Sequence, residues 1–422
     1  MSSGTLNLAP ITRQLDEIQS AMATRSDVDQ VSSMVTEVSG TLRSTQDQLA
    51  ELQRQFAEYV QQARRTAAVQ RAAASRAFQM KNGAAFTWGS RYTYFDFTDK
   101  FSPGPGTTYQ VRREIFDKIL IDEAAKQGAD VRFGHAVTAF DNSGDTARLS
   151  VETDNGETYE LTARFVLDAS GYGRVLPRLL DLDTPSHLPV REAHFTHIDD
   201  NISDPEFDRN KILISTHPEH RDVWLWLIPF GDNRCSIGVV GLPERFAGLG
   251  DSEAILRRYA AEIPMLARIL GNAQWENDFP FRHIKGYSAN VKTLHGRHFA
   301  LLGNAAEFLD PVFSSGVTIA MHSAKLAADL LARQLKGQEA DWQREFAEPL
   351  MTGVNAFRTY VNGWYDGSFQ DAIYAPNRNP EISRMISSIL AGYAWDSNNP
   401  YVEKSERRLK ALAETVGVQQ YQ

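Results

Sequence analysis

The chain has 422 residues with 42% hydrophobic and 23% charged residues, enough length for a large core and two or three domains. Its net charge of −9 and pI of about 5.6 argue against nucleic-acid binding through phosphate contacts. Cys235 is the only cysteine, which excludes an intrachain disulfide and a multi-cysteine metal site.

Residues 1 to 78 read as one helical segment. From Val28 the apolar positions step in heptads through Val31, Val35, Val38, Leu42, Leu49, Leu52, Phe56 and Tyr59, broken only at Thr45. That seam suits either a coiled coil that self-associates into a homo-oligomer or an amphipathic helix lying on its own globular domain. Ser26 supplies an N-cap and Asp29 favours the helix start. The N-terminal sequence lacks a basic region followed by an apolar run, so no signal peptide is expected. No stretch approaches the ~18 uninterrupted apolar residues of a membrane span. With the lone cysteine, these features predict a cytoplasmic protein without membrane partners.

From residue 79 the pattern turns to mixed α and β. "AAFTWGSRYTYFDF" alternates as strand, and a helix is predicted from Arg113 to Gln127, followed by a strand. "RLSVETDNGETYELTARFVLDASG" predicts a hairpin around Asp-Asn-Gly running into a buried strand that ends at Asp168, Gly171 and Gly173. Three further strands are expected between Lys211 and Leu242, among them "VWLWLIP", which places Trp224, Trp226 and Ile228 on one face before Pro229. Residues 252–270 read as helix, "HFALLGN" as a strand ending in Gly303, and the chain from Ala340 as mostly helical. The organisation predicted is therefore 1–78 helical, 79–340 an α/β core and 341–422 a helical C-terminal region.

The segment "LLGNAAEFLDPVFSSGVTIAMHSAKLAADLL" carries the strongest functional signal. A buried strand passes through Asp310-Pro311 to a helix that begins at Ser314, Ser315 and Gly316. First-turn N–H groups are unpaired and partly positive, and a glycine there admits a flat or anionic ligand. Proline at 311 fixes the approach of the backbone. A capped helix following a strand is the plain alternative for this turn taken alone. The aromatic islands around Trp364, Tyr365, Tyr393 and Trp395 are either core or pocket lining. The ten histidines show no metal-ligand spacing along the sequence, and no Ser/His/Asp arrangement is evident.

Taken together, "MKNGAAFTWG", "TTYQVRREIFDKILIDEAAKQGADV", "RFVLDASGYGRVL", "VWLWLIP" and "LLGNAAEFLDPVFSSGVTIA" resemble the flavin-dependent, tryptophan-type halogenases within the FAD-dependent monooxygenases and oxidoreductases. The resemblance covers roughly residues 78 to 410. It implies an α/β (α+β) FAD-oxidoreductase-like core with a mixed sheet and a substrate-side sheet. It also implies FAD as cofactor, halide as co-substrate, and an electron-rich aromatic substrate, free or carrier-bound. A flavin reductase is the implied partner. Lys81 matches the family lysine that captures or hydrogen-bonds hypohalous acid. Arg112 or Arg113 matches an arginine along the cofactor. Asp168, Gly303, Asn304, Asp310, Pro311, Gly316 and Val317 match the flavin-holding elements, with Asn304 in place of the commoner aspartate. The resemblance further implies that Ser314 and Ser315 flank the halide and that Trp224 and Trp226, with Ile228 and Pro229 on the same substrate side, form the wall between substrate and flavin.

Relatives open with a Gly-x-Gly-x-x-Gly turn that cradles the FAD pyrophosphate, and no such motif occurs here. The heptads occupy its place. Three explanations stay open: a rearranged and defective chain, a nucleotide unit recovered from another polypeptide, or a gap filled by the helical segment with weak or no flavin binding. The functional expectation is accordingly an FAD-dependent halogenase or hydroxylase, with a catalytically defective, coiled-coil remnant as the alternative.

Overall fold

The computed structural model describes residues 78–420 together with 12–14, 16, 35–48 and 50. The chain divides into two units, Met1–Ala72 and Ala73–Gln422. In the first, residues 35–48 are helical, with Val35 50% and Leu42 49% exposed. Val38 between them is half-buried; the remaining heptad positions, Val28, Val31, Leu49, Leu52, Phe56 and Tyr59, lie outside the described residues, so the coiled-coil expectation falls largely outside them too.

The second unit is a mixed α/β fold. Strand β1 (Gln79–Lys81) leads into β2 (Gly83–Trp88) and β3 (Arg91–Asp96), a hairpin rather than the single strand expected from its sequence. Gly89, at φ +60°, makes the tight turn between them. Strand β4 (Thr108–Gln110) pairs antiparallel with β1, setting Lys81 opposite Thr108. Helix α1 (Arg113–Lys126) follows, then an antiparallel meander of β5 (His135–Asp141), β6 (Ala147–Thr153) and β7 (Thr158–Ala163). The predicted buried strand is β8 (Val166–Asp168); β9 (Asp183–Thr184) and β10 (Glu192–Asp199) come next, and β10 was not anticipated.

The three expected strands are β11 (Lys211–Thr216), β12 (Trp224–Pro229) and β13 (Arg234–Gly241). Helix α2 (Ser252–Glu262) is capped by Asp251, whose side chain accepts from the Ala254 N–H. Strands β14 (Arg282–Lys285), β15 (Asn290–Val291), β16 (His295–Gly296) and β17 (Phe299–Leu301) precede helix α3 (Ser315–Gln334). The C-terminal region is helical, led by α4 (Glu348–Asp366).

Seven strands form one sheet in the order β14-β10-β13-β12-β11-β2-β3, antiparallel except for β11 against β2. Period-two alternation gives it two buried faces. Trp224, with Ala84, Phe86, Ile212 and Ile214, faces the core shared with α3, α4 and the later helices. Leu225, Leu227, Leu213 and Val239 face a second core under α2. The first core continues across residue 340 without a break, since Phe346, Trp364 and Phe369 belong to it. Strand β17 pairs parallel with β8 in the small sheet β16-β17-β8. Both strands therefore deliver their C-terminal ends, Leu301 and Asp168, side by side. Among the described residues no helix is long and apolar enough to cross a membrane.

Candidate active site

The turn after β17 is built by short-range constraints. Gly303 adopts φ +52°, and a Cβ there would stand 3.0 Å from the Ala320 Cβ, so glycine lets the turn lie against α3. Its N–H donates to Ser323 Oγ at 3.0 Å. Ser314 holds the left-handed conformation at φ +53° immediately before α3, and its side chain is exposed. A non-glycine residue at positive φ stores strain, which commonly accompanies a binding turn. The first-turn N–H groups of Ser315, Gly316 and Val317 lack intrahelical partners by position.

Asp310 points inward and organises the turn from beneath. It is 2% exposed; Oδ1 accepts from the Val312 N–H at 3.0 Å and Oδ2 from Tyr365 Oη at 2.8 Å. Tyr287 Oη donates to the same Oδ2 at 3.4 Å. Trp224 Nε1–H donates to Tyr365 Oη at 2.9 Å, and the Arg191 guanidinium lies 3.2 Å from the Tyr365 ring centroid. Burial pushes the Asp310 carboxyl above the usual range, against the hydrogen bonds and Arg191, which act in the other direction. The two tryptophans of β12 thus have different duties. Trp224 is fully buried and braces the turn through Tyr365. Trp226 is half-buried and lines a cavity. Tyr365 is therefore a turn-bracing residue, and Trp364 is core.

That cavity, of about 590 Å³, separates the turn from the sheet. On one side stand Gly303, Asn304, Pro311, Ser314, Gly316 and Val317; on the other, Ile214, Trp226, Ile228 and Phe195. Trp226 Nε1 donates to Ser236 Oγ at 3.1 Å. Its ring lies flat on Gly238, where any Cβ would fall 2.2 Å from the ring. A glycine on β13 is what permits the tryptophan to form a wall instead of filling the space.

Arg113 lines the cavity and pairs with Asp117 at 2.8 Å. Arg112 turns away, pairing with Asp232 at 2.9 Å and with Glu114. Asp168 is spent on its own turn: Oδ1 accepts from the Ser170 N–H at 2.8 Å and Oδ2 from the Leu176 N–H at 2.7 Å. Trp224, Pro229, Asp310 and Ser315 also stand behind the lining rather than in it. Lys81 is not in the lining either. It is partly buried with Nζ 5.7 Å from the Phe97 ring centroid, and burial lowers its amine from 10.5 to about 8. No hydrogen bond or ion pair engages that amine among the described residues.

Several lining residues were not found from sequence: Phe116, Tyr172, His197, Phe308 and Met321. His197 stacks on Phe279 at 3.7 Å, and burial lowers it to about 4, so it is neutral at ordinary pH. Alternation in "EAHFTHID" was the available signal, since Ala193, Phe195 and His197 share the face of β10 that meets the cavity.

Comparison with known proteins places the chain beside one family and four relatives. Residues 52–345 match the family model described as FAD binding domain. A flavoprotein/dehydrogenase from Cytophaga hutchinsonii is 41% identical, with a TM-score of 0.80 over 86% of this chain and 87% of that one. A solved flavin-dependent brominase shares the fold at 20% identity, with a TM-score of 0.69 over 83% of this chain and 84% of that one. Among curated proteins, the 1H-pyrrole-2-carbonyl-(peptidyl-carrier protein) chlorinase of Pseudomonas fluorescens is 27% identical, covering 73% of this chain and 69% of its own. The tryptophan 2-halogenase of Chondromyces crocatus is 28% identical over 62% of this chain and half of its own length.

Proposed function

The chain belongs to the FAD binding domain family, within the FAD-dependent oxidoreductases that include the flavin-dependent halogenases, and we propose that it halogenates an electron-rich aromatic substrate. One observation carries this reading: an open helix start faces a tryptophan-walled cavity of about 590 Å³.

The residues present fit the flavin end of FAD. A Cβ at Gly316 would meet Phe308 only at 3.5 Å and Asn304 Oδ1 at 3.7 Å, so that backbone is open to a planar ligand from the cavity side. Asn304 offers a neutral amide to a hydroxyl. The family match begins at residue 52, and no glycine-rich pyrophosphate turn occurs in the sequence. FAD, when bound and reduced, supplies the oxygen activation by which halide becomes hypohalous acid. The halide lies beside Ser314, whose own N–H donates to the Pro311 carbonyl, against the open first-turn N–H groups of Ser315 and Gly316, whose partial positive charge favours an anion. Trp226 and Ile228 hold the substrate ring off the flavin. Lys81, in its neutral form, hydrogen-bonds or captures the hypohalous acid and presents the halogen to the substrate. Arg113 neutralises charge at the cavity mouth.

The same proposal takes residues 79–340 as the FAD-oxidoreductase-like core, completed by 341–422. It assigns reduced-flavin supply to a separate reductase and self-association to the N-terminal heptads. Two curated relatives act on a carrier-bound pyrrole, which supports a carrier-bound aromatic as substrate class. The family match disfavours the defective-remnant alternative. A second reading is dehydrogenation, favoured by the 41% identical flavoprotein/dehydrogenase, or hydroxylation. The test is a mass spectrum of phenolic and pyrrolic probes incubated with the chain, FAD, a flavin reductase and either chloride or bromide. Halogenation gives a product whose isotope pattern changes with the halide. A halide-independent gain of one oxygen, or loss of two hydrogens, selects the second reading.

A further inference from the structure

On the opposite side of the sheet from the cavity, Glu192 and His194 of β10 and His283 and Lys285 of β14 form one cluster. Strand geometry makes it: residues two apart share a face, and His194 is the direct cross-strand partner of His283, as Glu192 is of Lys285. The His194 Nε2 and His283 Nε2 atoms lie 3.6 and 3.4 Å from the same oxygen, Glu192 Oε2. The other oxygen, Oε1, is held by Lys285 Nζ at 2.8 Å. His194 Nδ1 is held by Ser252 Oγ at 3.0 Å, at the start of α2, and Phe246 packs edge-on against the ring.

This leaves an unfilled requirement. His194 is 5% exposed, and its Nε2 has no hydrogen-bond partner among the described residues. In the tautomer whose Nδ1–H donates to Ser252, the Nε2 lone pair faces a carboxylate oxygen, acceptor against acceptor; in the other, Nε2–H points at that oxygen across 3.6 Å, too far for a hydrogen bond. A cation between them resolves the conflict. The spacing fits one: tetrahedral bonds of about 2.0–2.2 Å separate ligand atoms by roughly 3.3–3.6 Å. Two imidazole nitrogens and one carboxylate oxygen are a donor set for a borderline divalent transition metal. Ser252 and Lys285 already act as the outer partners that orient such ligands.

We propose that Glu192, His194 and His283 bind a Zn²⁺-class divalent cation, with water as the fourth ligand, which clips edge strand β14 to β10. The His rings now lie face to face, 4.4 Å apart and 11° from parallel, so closure requires rotation of the His283 ring. His283 is the exposed member, with its side chain 42% accessible, and is free to make that rotation. The clip would steady β10, whose other face contributes Phe195 and His197 to the cavity. The sequence hides the site because the ligands sit on strands 89 positions apart, not in a local spacing.

The test uses the full chain, stripped with a chelator and titrated with Zn²⁺ by calorimetry and thermal melting. Wild type should bind one equivalent with micromolar or tighter affinity and melt several degrees higher with metal. His283→Ala and Glu192→Gln should each weaken binding at least tenfold and lose the melting shift. His283→Ala is the safer variant because its side chain is exposed, and its metal-free melting curve checks that it folds. Absence of a stoichiometric Zn²⁺ equivalent in wild type, or equal binding in both variants, overturns the proposal.

Discussion

Lys81→Met should be more stable than wild type and nearly inactive as a halogenase. The amine is pushed from 10.5 to about 8 by burial alone, which means folding costs about 3 kcal/mol whenever the lysine is an ammonium. Because the folded value is the lower one, that cost is fully present below about pH 8 and disappears as pH rises toward 10.5. An apolar residue of similar length removes it. Thermal melting at pH 7 should therefore show Lys81→Met above wild type, with the gap closing at alkaline pH. Halogenated product, read by mass spectrometry, should fall by about 100-fold or more, the scale on which positioned proton-transfer and nucleophilic groups act. In wild type, turnover should rise with pH through about 8 as the neutral amine forms. A merely structural lysine would not couple a gain in stability to a loss of activity. Unchanged halogenation in the variant would remove Lys81 from the chemistry.

Asp310→Ala should produce the largest loss of stability from a single truncation. The carboxylate satisfies the Val312 N–H and the hydroxyls of Tyr365 and Tyr287, all buried. Removing it orphans these donors and weakens the Trp224–Tyr365 link behind them. At about 1–3 kcal/mol for each unsatisfied buried group, part of it relaxed, the cost is about 3–5 kcal/mol. Melting by circular dichroism should show a fall of about 5–10 °C. Asp310→Asn keeps an acceptor in place and loses the cost of a buried charge, so it should sit much closer to wild type. It should also remove part of the pH dependence. A carboxyl whose folded value is raised loses stability as pH climbs through that value, and the amide has nothing to titrate. Equal melting of Asp310→Ala and wild type would mean the turn is held by something else.

These two residues show how much was legible in the sequence. The Asp-Pro turn, Gly303 and Gly316 were readable because their signals are local: a proline, a glycine where the backbone must be open. Lys81 was singled out by family resemblance alone, and it stands outside the cavity lining. The helix Arg113–Lys126, none of whose residues is buried, was readable from its helix-favouring composition, and the strands β11 to β13 from their apolar runs and turns. What sequence could not provide is the third dimension. "VWLWLIP" places both tryptophans on one face, yet only the positions of Tyr365 and Gly238 decide that Trp224 braces while Trp226 lines. Asp168 ends its strand as expected, but both its oxygens are taken by nearby backbone N–H groups. Arg112 and Arg113 are adjacent in sequence, and a helix start sends one to Asp232 and the other to the cavity. The Glu192–His194–His283 cluster exists only because β10 and β14 pair in that register.

FAD binding in the proposed function sets the isoalloxazine ring against the turn from Gly303 to Val317. The most direct measurement is a titration of the purified chain with FAD, followed by flavin absorbance and fluorescence, beside Gly316→Leu. A leucine Cβ at 316 meets protein only at ordinary contact distance, so the variant should fold while its side chain occupies the cavity. Wild type should bind flavin stoichiometrically and Gly316→Leu at least tenfold more weakly, at equal melting temperature. A chain that takes up no FAD, or a variant that binds it as well as wild type, contradicts the account.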